Sequence, residues 1–294
     1  MESKCLSVVI PTYNEEEIVG ECLGRLLTQL DHIREIVVVD NNSTDSTVAI
    51  VTGLARQHPE IRVITETEQG LVFARNAGMN AATGDFVARI DSDSLVPPHW
   101  AQTIVEFFLA DTEQRWAALC GRGEAYGLPY GDGITRLKKR LPVNPFRSAA
   151  TEDNPTVRSV PVLYGSNMVL RATTWAAIRD RVSMRRDVFE DVDMGLCVGE
   201  TGGRNAFLPH ITVGVSPRRM ETGMVGFVRY MSFLPRTLLL HQRFGYAFGA
   251  ITIYLPWISF THALRLILIR SYDAQSQTYS ARNILRPTED RVVP

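Results

Sequence analysis

An alternation of two periodicities restricts the folds open to this chain more than any other feature. Over the first 120 residues, short apolar runs rich in Val and Ile take turns with longer segments of helical period. The apolar runs fall at 6–10, 36–39, 61–64, 86–90 and 117–120. Their length and β-branched content are those of strands buried on both faces of a parallel sheet. Helical patterns fill the intervals at 18–30, 46–57, 70–82 and 100–109, with Asp45 placed to cap the second. This alternation predicts an α/β chain with a doubly wound, mostly parallel central sheet flanked by helices. In such sheets ligands bind outside the carboxyl ends of the strands. Those ends are where chemistry is expected.

Beyond the fifth run the pattern loosens. Residues 122–161 read as a loop-rich region with a basic cluster at Lys138-Lys139-Arg140. Regular structure resumes at 162–170, followed by helices near 173–179 and 190–199 and a strand near 206–215. With 294 residues, 45% of them hydrophobic and 21% charged, the chain is long enough and apolar enough to bury a sizeable core.

The net charge of −1 gives non-specific nucleic-acid binding no electrostatic support, so no nucleic-acid partner is expected. That charge is unevenly spread. From Ser216 onward ten arginines face four acidic residues, a balance of +6, so the preceding part carries −7. A basic end on an acidic body predicts contact with something anionic, and phospholipid headgroups are the obvious candidate. Residues 244–264 contain no Asp, Glu, Lys or Arg across 21 positions, long enough to cross a bilayer. Yet Gly245, Gly249, Pro256, Ser259, Thr261 and His262 make a poor hydrocarbon helix. Arg229, Arg236 and Arg243 recur every seven residues, a spacing that falls on one helical face. The segment therefore reads as lying on a membrane rather than spanning it. The plainer alternative is a packed helical hairpin whose arginines face water. Cys5, Cys22, Cys120 and Cys197 lack the paired short spacing of a zinc cluster or a disulfide framework. Together with an N-terminus that runs from Met1–Lys4 straight into a strand, this predicts a reduced, cytoplasmic setting, peripheral at the inner face of the plasma membrane.

Polar residues cluster at the ends of the predicted strands. Pro11-Thr12-Tyr13-Asn14-Glu15-Glu16 follows the first, Asp40-Asn41-Asn42-Ser43-Thr44-Asp45 the second, and Asp91-Ser92-Asp93 the fourth; Glu190-Asp191 opens a later helix. Converging carboxylates are costly unless they have partners or a cation. Asp91 and Asp93, two residues apart at a strand end, suit a hard divalent cation such as Mn2+ or Mg2+, which takes oxygen ligands and shares them with phosphates. A turn rich in Asp and Ser explains the same residues without a metal.

Taken in order, these segments resemble the family-two glycosyltransferases of the GT-A fold. The resemblance rests on Ser7-Val-Val-Ile-Pro-Thr-Tyr-Asn-Glu-Glu16, Val37-Val-Val-Asp-Asn-Asn-Ser-Thr-Asp-Ser-Thr47, Gly70-Leu-Val-Phe-Ala-Arg-Asn-Ala-Gly78, Gly84-Asp-Phe-Val-Ala-Arg-Ile-Asp-Ser-Asp93, Gly165-Ser-Asn167 and Glu190-Asp191. It covers roughly residues 6–200, and the ordered set is specific although each motif alone is weak. The resemblance implies a GT-A, Rossmann-like domain over 1–220; the tail beyond Gly223 resembles nothing assignable, and 221–294 reads from its charge and composition as a helical, basic region in contact with a membrane. The resemblance also implies an enzyme that inverts the anomeric centre as it moves a sugar from a nucleotide diphosphate to an acceptor hydroxyl. UDP- or dTDP-sugars are the first expectation for the donor, GDP-sugars remain open, and a lipid-linked acceptor fits the basic tail.

Residue by residue, the resemblance matches Pro11, Tyr13 and Glu15 to the loop around base and ribose. It matches Asp40 to the acid that hydrogen-bonds the base, and Arg75 to a basic residue of the nucleotide pocket. Asp91 and Asp93 match the metal and ribose contacts, Asp93 ahead of Asp91 as direct ligand. Gly165, Ser166 and Asn167 match a loop near the transferred sugar, and Glu190 is expected among the nucleotide-sugar-binding residues. Asp191 matches the catalytic base that takes the proton of the attacking hydroxyl. Arg218 and Arg219 match a basic segment suited to gripping diphosphate oxygens, and equally suited to lipid. His210 reads as structural. The Gln-x-x-Arg-Trp of processive members has no counterpart, so a non-processive enzyme is expected. Asn41 stands where many relatives carry a second acid.

Three other readings fit these residues less well. A metal-dependent nucleotidyltransferase shares the fold class but needs a Gly-rich basic loop after the first strand, where this chain has Tyr13-Asn14-Glu15-Glu16. A non-catalytic nucleotide-sugar-binding protein would be expected to have lost Asp91, Asp93 or Asp191. Gly121-Arg-Gly-Glu-Ala-Tyr126-Gly127 misses the dinucleotide spacing and follows the wrong strand for a dehydrogenase.

Overall fold

The computed structural model describes residues 5–126, 150–151, 154–216, 222–273 and 278–279. The first four apolar runs form β1 (Leu6–Thr12), β2 (Ile33–Asp40), β3 (Ile61–Thr65) and β4 (Phe86–Arg89). Between and after them lie α1 (Val19–Leu27), α2 (Thr47–Ala55), α3 (Leu71–Ala81) and α4 (Trp100–Ala110), followed by β5 (Ala118–Ala125). β1 pairs in parallel with β2 and β4, and β2 with β3. A later strand, β8 (Met168–Arg171), runs antiparallel to both β4 and β5. The first five strands therefore share one direction, with a single reversed strand inserted among them. β6 (Ala150–Thr151), β7 (Asn154–Val160) and β9 (Asn205–Val215) complete a nine-stranded sheet ordered β3-β2-β1-β4-β8-β5-β9-β7-β6.

Alternation along β1 and β2 feeds two cores, as a pleated strand buried on both faces must. Val8, Ile10, Ile36 and Val38 pack with Leu23 and Leu26 of α1 and Trp100, Ile104 and Phe108 of α4. Val9, Val37 and Val39 face the opposite way, toward Ala74 and Met79 of α3. α3 lies close to the sheet because of Gly78, where a Cβ would overlap the side chains of Val9 and Val39. Opposite pairing of Thr12 with Asp40, and of Asp40 with Thr65, brings three strand ends level at one rim.

Several sequence expectations are corrected. Residues 154–160, read as loop, form β7; their Asn-Pro start disguises a strand. Residues 162–167 are irregular, and β8 begins only at Met168. α5 (Ala172–Ile178) and α6 (Glu190–Glu200) lie where helices were expected. The N-cap of α2 is Ser46 and makes no side-chain capping bond. Asp45 acts one residue earlier, its Oδ1 accepting from the Thr47 N–H at 3.0 Å.

The sheet with α1–α6 makes one compact unit, and a second contains residues 187–189 and the helices after β9. In that second unit α7 (Met224–Met231), α8 (Phe233–Leu240) and α9 (Phe244–Gly249) are followed by a π-helical turn (Ala250–Tyr254) and α10 (Leu255–Ser271). The heptad face expected for Arg229, Arg236 and Arg243 does not form. The first two lie on separate helices and the third precedes α9, because the chain turns at Ser232 and again at His241–Arg243, where Gln242 has a φ of 56°.

Candidate active site

The loops after β1 and β2 are laced together. Asn14 donates its N–H to the Ser43 hydroxyl at 3.1 Å, and its Oδ1 accepts from the Thr44 N–H at 2.8 Å. Glu15 N–H reaches the Thr47 hydroxyl at 2.8 Å, while Glu16 Oε2 accepts from the Ser46 N–H at 2.8 Å. Asp40, buried at the end of β2, receives the Ser43 N–H on Oδ1 at 3.2 Å. Pro11 is buried within β1, and Tyr13 beyond it is half-buried. Asn41 ties in the β3–α3 loop. Its amide donates to the carbonyls of Glu66 and Glu68, each at 2.8 Å, and its Oδ1 accepts from the Gly70 N–H at 2.7 Å. A carboxylate at position 41 has no donor to offer those carbonyls, which accounts for the amide.

The end of β4 carries a denser charge cluster. Arg89 is buried, and a buried guanidinium requires counter-charge. Its Nη2 lies 2.6 Å from Asp91 Oδ1 and 3.5 Å from Glu190 Oε1. Glu190 opens α6, so Arg89 joins the β4 rim to the start of that helix. β4 runs beside β1, with Arg89 opposite Val9, so Asp91 and Asp93 follow the strand next to the one that carries the β1 loop. Burial pushes the Cys22 thiol well above its ordinary range, and Asp93, Asp91 and Glu15 add to the rise. Hard oxygen donors of this kind suit Mn2+ or Mg2+ rather than a softer metal.

Asp191, next along α6, is held by two backbone donors. Gly165 N–H binds Oδ2 and Val192 N–H binds Oδ1, both at 2.9 Å. Burial raises its carboxyl from the usual range to about 6, and the neighbouring Glu190 adds to the rise. The Gly165 bond and Arg89 pull the other way. A carboxylate poised near 6 is ionised at neutral pH yet basic enough to accept a proton. Gly165 is required by closeness: a Cβ there would collide with the Arg89 guanidinium and touch Asp191.

Arg75 and Asn167 have partners within the protein. Arg75 is wholly buried on α3, binding Asn76 Oδ1 through Nε and Nη2 at 3.0 and 2.8 Å and the Glu190 carbonyl through Nη1 at 3.2 Å. Burial lowers its guanidinium to about 10, against the opposing pull of Glu190. Asn167 donates to the carbonyls of Ile211 at 2.7 Å and Arg122 at 3.3 Å, and accepts from the Trp100 indole at 3.0 Å. It cross-braces the β5 and β9 backbones beside half-buried Ser166. Arg218 and Arg219 lie outside the described residues. Sequence reasoning passed over Arg89, although an arginine inside the apolar run Phe86-Val-Ala-Arg-Ile90 was its signal.

Comparison with known proteins gives this rim a context. Residues 7–172 match the family model "Glycosyl transferase family 2". The uncharacterized glycosyltransferase YibD of Escherichia coli is 36% identical over 106 residues, which is 36% of this chain and 31% of that protein. Glycosyltransferase GlyG of Streptococcus pneumoniae is 32% identical over 105 residues, 35% of each chain. The matched stretch thus spans about a third of the length of these relatives. Among solved structures, a mannosyltransferase from Pyrobaculum calidifontis in complex with GDP-Man and Mn2+ aligns with a TM-score of 0.63 at 23% identity, over 92% of this chain and 76% of that one. Staphylococcus aureus TarS 1-349 in complex with UDP-GlcNAc aligns at 0.54 and 19% identity, over 80% and 66%. These likenesses establish the GT-A fold. With more than half of its length in the matching family model, the chain belongs to glycosyl transferase family 2.

Proposed function

We propose that the protein is an inverting, non-processive glycosyltransferase that moves a sugar from a nucleotide diphosphate to an acceptor hydroxyl with the help of a divalent cation. The observation that carries the reading is the Asp191 carboxylate, raised to about 6 and tied through Glu190 and Arg89 to Asp91. Asp191 accepts the proton of the acceptor hydroxyl as its oxygen attacks the anomeric carbon. The bond from that carbon to the diphosphate oxygen breaks, and the electron pair leaves with the nucleoside diphosphate. Asp93 and Asp91 would hold a Mn2+ or Mg2+ ion, which would supply charge neutralisation to the departing diphosphate. Asp40, Pro11, Tyr13 and Glu15 embrace the nucleotide. Arg75 acts from beneath by fixing the Glu190 backbone, and Asn167 by bracing the loop that carries Ser166. Arg218 and Arg219 grip the diphosphate.

The donor is a UDP- or dTDP-sugar in this reading, and the Pyrobaculum enzyme's GDP-Man makes GDP-sugars the third class to test. Each donor is incubated with the protein, Mn2+ and a lipid-linked or sugar acceptor and nucleoside diphosphate release is followed, while nucleoside triphosphate with sugar 1-phosphate is incubated in parallel and pyrophosphate release is followed. Nucleoside diphosphate release, with the product anomer inverted, is the expected result. Pyrophosphate release would instead identify a nucleotidyltransferase. Asp93→Ala should weaken Mn2+-dependent donor binding at least tenfold, read by titration calorimetry, and equal affinity would remove Asp93 from the metal site.

A further inference from the structure

We infer that the helix of the second unit running from Phe244 through Ile267 lies in the headgroup region of a lipid bilayer, with anionic lipid as its partner. The helix is 24 residues long, and its most apolar stretch of 18 residues has a mean hydropathy of 1.2 and is only 17% buried. Exposure is unusual in both size and direction. Ile253, Trp257, Phe260, Leu264 and Ile267 recur at spacings of four and three, forming one stripe of the helix, with Ile253 73% exposed and Trp257 55%. In the first half a second apolar face, Phe244, Phe248 and Ile251, is also exposed, Phe248 at 70%. Scattered exposed apolar residues are ordinary, whereas a contiguous set of this kind marks an interaction surface.

Two observations select a bilayer over a second protein copy. One partner helix would cover one stripe and leave Phe244, Phe248 and Ile251 in water, while a fluid apolar phase covers both faces. Charge follows the same division. The helix carries no charged side chain from Phe244 to Leu264, and Arg229 and Arg243, both exposed, lie in the segment that precedes it. No acidic residue occurs between Thr222 and Tyr272. Each Arg close to an anionic surface adds to the attraction.

The helix lies on the membrane rather than through it because its other side is taken. His262 is buried, stacked on Phe227 of α7 at 3.7 Å and 8°, with its Nε2 2.9 Å from the Thr222 carbonyl oxygen. Leu266 is buried one turn on. Withdrawing that face into hydrocarbon would break the His262 contact with no replacement.

The test uses the full chain and vesicles of phosphatidylcholine with or without phosphatidylglycerol. Co-sedimentation is expected only with phosphatidylglycerol, and raising NaCl to about 0.5 M should release the protein, since exposed charges are screened there. The double variant Ile253→Glu, Phe260→Glu alters exposed positions only, so it should keep the thermal midpoint and lose vesicle binding at least tenfold. Arg229→Gln with Arg243→Gln should weaken binding to anionic vesicles several-fold. Binding unchanged in the double glutamate variant would overturn the inference, as would equal binding to neutral vesicles. A protein that resists both salt and alkaline carbonate would be spanning, contrary to the account. A stoichiometric dimer in sedimentation without vesicles, abolished by the glutamates and accompanied by no vesicle binding, would assign the surface to a second copy. Donor-dependent nucleotide release is measured in parallel, so failure here and failure of the transferase reading are separate results.

Discussion

Arg89 and Asp191 have opposite electrostatic problems, and their neighbours determine how each behaves. Arg89 brings a permanent charge into a buried strand and is matched by Asp91 and Glu190. Asp191 is under-compensated, so its carboxyl rises to about 6. Because the folded value lies above the unfolded one, the protonated form is favoured by folding. That contribution is complete below about pH 4 and is lost as pH rises through 6. Asp191→Asn, neutral at every pH, should therefore gain on the wild type in thermal midpoint between pH 5 and pH 8, by about 3 °C or more. Scanning calorimetry at both pH values checks this, and a constant difference would contradict the raised carboxyl. Transfer by the wild type should fall as pH drops below 6, because the base is then protonated. At Asn41 the expected loss is structural. Asn41→Asp sets a carboxylate against the Glu66 and Glu68 carbonyls and should cost about 2 kcal/mol, measured by urea unfolding. Residue identities at the rim were legible because acids crowd the ends of apolar runs. Partners were not: that Arg75 serves the Glu190 carbonyl, 115 positions away, follows only from folding.

At the scale of elements, glycines divide by what surrounds them. Gly78 lets α3 approach β1 and β2, and Gly78→Ala should destabilise by about 1–3 kcal/mol through overpacking against Val9 and Val39. Gly24, in α1, has open space where a Cβ would project, and Gly24→Ala should stabilise by about 0.5–1 kcal/mol. Denaturant midpoints distinguish the two, and equal effects would refute the packing account. The elements themselves were largely readable where side chains announce them. β1, β2, β3 and β4 are Val- and Ile-rich and buried, so short-range pattern and long-range burial agree. β7 was hidden because Asn154-Pro155 reads as a turn, and the strand exists through its pairing with β9. The reversed β8 was beyond periodicity, which carries no direction. The sevenfold arginine spacing misled for a related reason: period describes a face only if the helix continues, and this one stops at Ser232 and Gln242.

For the whole molecule, one family fold supplies a rim where four separated segments meet: the β1 loop, the end of β2, the end of β4 and the start of α6. Their links are specific. Asn14 joins the first two, the pairing of β1 with β4 sets the first beside the third, and Arg89 joins the third to the fourth. Such an arrangement gives donor binding and proton removal to different residues, so the two functions should separate on mutation. The most direct measurement is turnover and donor affinity of Asp191→Asn, with the donor chosen by the nucleotide-release screen and Mn2+ present. Turnover should fall by about 100-fold or more, while the dissociation constant for the donor should change less than about twofold. Wild-type turnover in this variant would contradict the assignment of Asp191 as the base on which the mechanism turns.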